Sequence, residues 1–407
     1  MAYDYGSVEG NKQVNAPIFD VAIIGGGPAG CSAGIIAASS GLQTILFEAH
    51  TYPQDKLCGE FLSPECSGIF DELGARGSIL NKRPHPITRS ILTAPDGFAW
   101  RASLPGTAWG FSRKSLDALL AERARAAGVV IQAGVTVEQV HGSLNEGFNL
   151  EARSASGRFI TAARTVIAAY GKRSALDRTF NRRFMQRRQP FVAFKAHFTD
   201  VPLPGQIQLH AFKGGYCGLS MIEENFAQEP VTNVCFLARS EVFQASRQAG
   251  QKPLETFLRW MHSQNPHLQD HLCQGRQLDR EWISIAQVPF TPKSPLEGDL
   301  LMAGDAAGLI VPLAGDGISI ALRSGMLAAG LIFSFLDKNL SPSWLRRTYS
   351  RTWKQNFRQR LVFGRVLQNF MLHPGMLSAG LHLIQLYPTL GEYIMTHTRE
   401  VYQLDSE

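Results

Sequence analysis

The stretch FDVAIIGGGPAG, Phe19 to Gly30, decides the architecture of this chain. Residues 19–24 are an apolar, β-branched run of the kind a strand needs when both its faces are covered. Gly25, Gly27 and Gly30 then satisfy G-x-G-x-x-G, with Pro28 and Ala29 opening a helix between the last two glycines. The first glycine permits a tight turn and the second lets a pyrophosphate approach the backbone. The third lets helix and strand pack closely, with the helix N-terminus facing the phosphates. Small residues continue the helix through CSAGIIAASSG to a stop at Gly41, and LQTILFE makes a second strand ending on Glu48. Glu48 lies eighteen residues beyond Gly30, where its carboxylate can accept from a ribose hydroxyl. The segment therefore predicts a βαβ nucleotide-binding unit.

Outward from this unit, the 407 residues and 44% hydrophobic content can bury more than one core. The net charge of +6 suits anionic cofactors and is too mild for a nucleic-acid partner. Six scattered cysteines, without CxxC or His-rich spacing, predict reduced thiols of a cytoplasmic protein and no metal. Residues 1–17 lack an apolar core and read as a flexible arm. The run MLAAGLIFSFL, 326–336, is too short to cross a bilayer and reads as a buried helix. The expected fold class is α/β: a doubly wound, Rossmann-like domain built from the separate segments 18–80, 105–180 and 281–337. A second, mixed β-sheet domain takes 81–104 and 181–280, where aromatic and β-branched residues alternate, and 338–407 forms a helical C-terminal segment.

The choice of nucleotide rests on a distant stretch, MAGDAAGLIVPLAGDGISIALRSG, 302–325. Asp305 follows a strand and Gly304, where its carboxylate can hold a sugar or ribitol hydroxyl. Gly315, Asp316, Gly317 and Ile318 lead into an apolar helix whose N–H groups face something of negative character. A reduced flavin carries such charge at one edge of its ring. With the SRKSLDALL helix, which contains Arg113, these three ordered motifs resemble the flavoprotein superfamily of para-hydroxybenzoate hydroxylase, and within it the geranylgeranyl reductase family. The resemblance implies FAD as cofactor, with Arg113 and Asp305 touching it and Pro312 and Gly315–Ile318 lying along the isoalloxazine. The DKLCGEFLSP segment, 55–64, resembles that family's lysine-x-cysteine-glycine motif, which lies beside the flavin.

In that segment Gly59 permits close approach to a flat ring, Lys56 can stabilise a thiolate at Cys58, and Glu60 can take or give a proton. Lys56, Cys58 and Glu60 are the expected catalytic residues. The tyrosine-x-tryptophan-x-phenylalanine-proline signature of isoprenoid reductases is replaced here by GGYCGLSMIEEN, and the aspartate of the hydroxylase aspartate-glycine motif by Tyr170. The expectation is therefore NAD(P)H-linked monooxygenation of a small hydrophobic or aromatic metabolite. NAD(P)H docks transiently or is replaced by a partner reductase, since no second G-x-G-x-x-G exists. The alternatives are saturation of an isoprenoid double bond and, from another class, a non-catalytic flavin-binding module. His85, His197, His210 and His262 read as isolated structural residues. RTFNRRFMQRRQ, 178–189, reads as a solvated basic crossover. From Trp344 to Arg365 an aromatic stripe (Tyr349, Trp353, Phe357) accompanies seven cations and no acid, and offers peripheral membrane contact.

Overall fold

A computed structural model describes residues 18–188, 190–225, 228–311 and 315–387. The arm expected over 1–17, the end of the helical segment beyond 387, and Pro312 lie outside the described residues. Strand Phe19–Ile24 pairs in parallel with Thr44–Glu48 on one side and Gly157–Ala168 on the other. Val130–Ala133 and Leu300–Met302 extend the sheet outward, also in parallel. Such strands are covered on both faces, which is why Val21, Ala22, Ile23, Ile45 and Leu46 are all fully buried. A meander, Thr136–Ser143 and Gly147–Ser154, joins antiparallel to the same sheet.

Register brings the strand ends level. Gly25 N–H donates to the Phe47 carbonyl (2.7 Å), Ala169 N–H to Ile24 (2.8 Å) and Ala303 N–H to Ala168 (2.9 Å). The carboxyl ends of these parallel strands therefore open onto one crevice, the place where open α/β sheets bind ligands. Helices α1 (Pro28–Ser39), α2 (Arg113–Ala126) and α3 (Gly317–Asp337) cover the sheet. Helix α3 has the length and composition of a membrane span, yet Ile318, Ile320, Leu322, Ala328, Ile332 and Phe335 are buried against the body. Each large side chain so buried contributes about 1.5–3 kcal/mol, so α3 is a core helix. Its seam with α1 is built from small residues: a Cβ on Gly325 would lie 2.1 Å from the Ala29 carbonyl oxygen, and Ser32 Oγ donates to Leu322 O at 2.9 Å.

The second sheet has nine strands, ordered Arg276–Gln277, Phe191–Thr199, Thr232–Arg239, Gly215–Met221, Gln206–Phe212, His85–Thr93, Ala99–Gly110 and Phe61–Leu62, with Ile283–Ala286 beside Phe191–Thr199. Its membership departs from the segment boundaries read from sequence. Phe61–Leu62, the end of Ala99–Gly110 and Ile283–Ala286 all belong to it, because Phe61 pairs with Gly110 and Val192 with Ala286. Helices α4 (Pro342–Met371) and α5 (Pro374–Leu386) follow. Tyr349, Trp353 and Phe357 of α4 are buried, and the Tyr349 hydroxyl donates to the Met302 carbonyl, so the aromatic stripe packs on the body.

Candidate flavin site

The glycine turn after the first strand is shaped for a phosphate. Gly25 has φ +105°, and a Cβ on Gly30 would lie 1.8 Å from the Gly25 carbonyl oxygen, so only glycine closes this turn. Gly27 caps α1 without any side-chain acceptor, which leaves the helix N-terminus open to an anion. Arg113 Nη2 stands 3.6 Å from where a Cβ on Gly27 would be, placing a cation over the same turn. Asp117 orients that guanidinium through two bonds of 2.9 and 2.8 Å. Glu48 is buried at the end of its strand, where it accepts from Gly26 N–H (2.6 Å) and His50 N–H (3.2 Å). An open helix terminus, a cation and a cradle with no room for Cβ atoms fit the pyrophosphate of FAD.

The distant motif meets this turn in space. Gly304 adopts φ +59°, and a Cβ there would touch Ala29 Cβ at 3.0 Å. Its N–H donates to Ser324 Oγ at 2.8 Å, and Asp305 lies in the short helical turn Gly304–Ala306. The backbone carbonyl of Asp305 accepts from Lys293 Nζ (2.8 Å), an ammonium whose burial pushes it down to about 8. Asp316 and Ile318 are buried at the start of α3. A Cβ on Gly315, itself at φ +71°, would lie 2.8 Å from the Phe61 ring, so this turn abuts the cysteine segment.

That segment is held through its carbonyls, one by the loop after Gly157–Ala168 and two by the second sheet. Leu57 O accepts from Lys172 Nζ (2.8 Å), Cys58 O from Asn233 Nδ2 (3.2 Å) and Gly59 O from Ser220 Oγ (3.2 Å). Cys58 Sγ accepts from Glu60 N–H (3.4 Å) and interacts electrostatically with the Arg113 guanidinium. The cation expected beside this thiol was Lys56; the structure turns Lys56 Nζ instead to Glu48 (3.6 Å) and Asp117 (3.7 Å). Arg113 takes the place beside sulfur.

Glu60 sits at φ +54° with its side chain fully buried. One carboxylate oxygen accepts from Lys195 Nζ (2.6 Å) and Arg113 N–H (2.8 Å); the other is 2.7 Å from His197 Nε2. Burial alone would push this carboxyl up, but the Lys195 ammonium and then His197 outweigh it and hold Glu60 below the usual carboxylate range. Burial likewise opposes charge on His197, and its bonds to Asp279 and Glu60 overcome that and push it up to about 9. Glu60 is thus a fixed anion and His197 the titrating partner, the reverse of the roles read from sequence. Asp55, Glu60 and His197 bring ligand atoms within 4.8 Å of one another, a spacing a metal ion could use. Lys195 Nζ already supplies positive charge there, 2.6 Å from Glu60 and 3.6 Å from Asp55. Lys195 was missed and His197 was read as an isolated structural residue, although FVAFKAHFTD carries them two residues apart on one strand face, a polar pair in an apolar run. The crossover at 178–188 is corrected too: Arg182 is buried, bonded to Asp177 (3.1 Å), Glu297 (3.1 Å) and the Ala306 carbonyl (2.9 Å).

A family profile described as FAD binding domain matches residues 19–361. Digeranylgeranylglycerophospholipid reductase 1 of Methanopyrus kandleri is 27% identical over 84% of this chain and 87% of its own length. Menaquinone reductase of Mycobacterium tuberculosis is 26% identical over 82% of this chain and 81% of its own length. Among solved structures, flavin-dependent brominase Bmp2 superposes with a TM-score of 0.76 at 18% identity, covering 93% of each chain.

Proposed function

Because this chain belongs to the FAD binding domain family it is an FAD-dependent oxidoreductase, and we propose that it saturates a carbon–carbon double bond in a hydrophobic substrate. Bound FAD supplies the two-electron redox chemistry, after reduction by NAD(P)H or a partner reductase. The chain's own share is binding, orientation and one proton. Gly25, Gly27, Gly30 and Arg113 would hold the phosphates, while Glu48 and Asp305 would offer acceptors to hydroxyls. Cys58 Sγ would give a proton to a substrate carbon and take one back from solvent. The observation that carries this reading is the seat of Cys58. Its sulfur accepts from Glu60 N–H at 3.4 Å and interacts with the Arg113 guanidinium, so a donor and a cation offset the charge left on sulfur by proton transfer. Reductases of double-bond-bearing lipids and quinones among the relatives support the same chemistry. Six unpaired cysteines suit a reducing, cytoplasmic compartment.

The second reading is NAD(P)H-linked monooxygenation of a small hydrophobic or aromatic metabolite. Strand Gly215–Met221, reading GYCGLSM in place of the isoprenoid-reductase signature, favours it. Incubation of the reduced enzyme with a prenylated quinol, once without oxygen and once in air, separates the two: an anaerobic gain of two hydrogens in the prenyl chain supports saturation, and an oxygen-dependent gain of one oxygen atom refutes it. Cys58→Ser should lower turnover about 10²-fold while FAD content and flavin reduction stay unchanged, as expected for loss of a general acid. Unchanged turnover would remove the thiol from the mechanism.

A further inference from the structure

We propose that the outer face of α4 and α5 docks this protein on an anionic lipid surface. The membrane contact anticipated from sequence rested on the aromatic stripe and the seven cations beside it; the stripe is buried, and the exposed face pairs four of those cations with other apolar residues. Arg347, Arg351, Lys354 and Arg358 follow one another at helical spacing and are all exposed. The same stripe continues without a break into Val362 (47% exposed), Val366 (50%) and Phe370 (37%). Helix α5 adds Met376, Leu383 and Leu386, the last 74% exposed. The face is thus basic over its first half and apolar over its second.

Charge selects the occupant. From Lys338 through Tyr387 there is no Asp or Glu, whereas there are eight Lys or Arg. The two cations of α4 that lie near acids turn inward, Arg346 to Asp299 (2.6 Å) and Arg360 to Glu65 (2.7 Å), and leave the outer stripe uniformly positive. A groove of about 870 Å³ beside Trp344, lined by Arg347, Arg351 and Lys354, runs along the basic half. Cations meeting lipid phosphates beside side chains that enter the acyl boundary is the arrangement of a peripheral membrane helix. An acidic protein would answer the basic half alone, whereas the contiguous exposed Val362, Val366 and Phe370 ask for a partner that offers anions and an apolar layer side by side, as a lipid surface does. The inference does not depend on which bond the enzyme reduces.

The test is flotation of the FAD-loaded protein with vesicles of phosphatidylcholine containing phosphatidylglycerol, against phosphatidylcholine alone. The expected result is co-flotation with the anionic vesicles, weakened by 0.5 M salt. Each cation contributes roughly a fivefold factor, so R347Q/R351Q/K354Q/R358Q should lower partitioning by well over about thirtyfold. V362S/V366S/F370S should lower it comparably but leave the salt dependence intact. Absorbance of bound flavin shows that both variants are folded. Wild-type protein that stays with the soluble fraction, or variants that float equally, would overturn the proposal. So would a self-association that V366→Glu abolishes in sedimentation without any vesicle binding, since the face would then belong to a second copy.

Discussion

Replacement of Lys195 by methionine isolates the buried charge cluster behind the cysteine segment. Lys195 and Glu60 are both fully buried, 2.6 Å apart. Removing one partner of such a pair leaves an uncompensated charge and costs about 3–5 kcal/mol. His197 Nε2 and Arg113 N–H still hold Glu60 in the variant, which places the loss near the lower figure, ~3 kcal/mol. Removing the charge as well, in K195M/E60Q, should recover part of it, to a net loss of roughly 1–2 kcal/mol, because a neutral amide keeps its hydrogen bonds and needs no counter-charge. Urea unfolding of the wild type, both single variants and the double variant closes the cycle. A pH series adds a sign. His197 is raised from 6.5 to about 9, so its contribution is complete below pH 6.5 and is lost as pH rises through 9. A rise of that size is worth about 3 kcal/mol. The wild type should therefore weaken between neutrality and pH 10, and H197Q should weaken less over that range. A K195M protein as stable as the wild type, or a double variant no better than the single, would refute the reasoning.

Two further expectations follow from single contacts. Gly30→Ala puts a methyl group 1.8 Å from the Gly25 carbonyl oxygen; the turn must open, and the purified protein should lack the yellow absorbance of FAD and fail to gain it on incubation with the cofactor. Ser112 caps α2 by accepting from Ser115 N–H at 3.1 Å, and its hydroxyl also donates to Glu223. Ser112→Ala should cost about 1 kcal/mol in urea unfolding and no more than about 2, with flavin binding weakened because α2 carries Arg113.

What could be read directly from residues was whatever depends on neighbours in the chain. The strand, turn and helix of 19–39 follow from local sterics, since Gly25 and Gly30 tolerate a backbone that side chains exclude. The apolar runs at 44–48 and 300–302 are covered strands for the same reason their pattern was legible: no polar position interrupts them. The buried character of α3 was legible in its composition as well. Asp96-Gly97 is likewise a turn pair in sequence, and the strands His85–Thr93 and Ala99–Gly110 pair antiparallel around it.

Only the tertiary structure decided which cation serves Cys58, because Lys56 and Arg113 are both cationic at neutral pH and differ in where the loop and α2 aim them. It also decided that Glu60 is a fixed anion: its partners lie 135 and 137 residues away on another sheet, and a carboxyl's charge is set by what burial brings near it. The outer face of α4 belongs to the same class of fact. Seven cations and a row of aromatics were visible in the sequence, but which side of the helix meets the body depends on the surface offered by the rest of the fold. Local covalent geometry and hydrophobic pattern thus wrote the elements, and long-range packing assigned each charged group its partner.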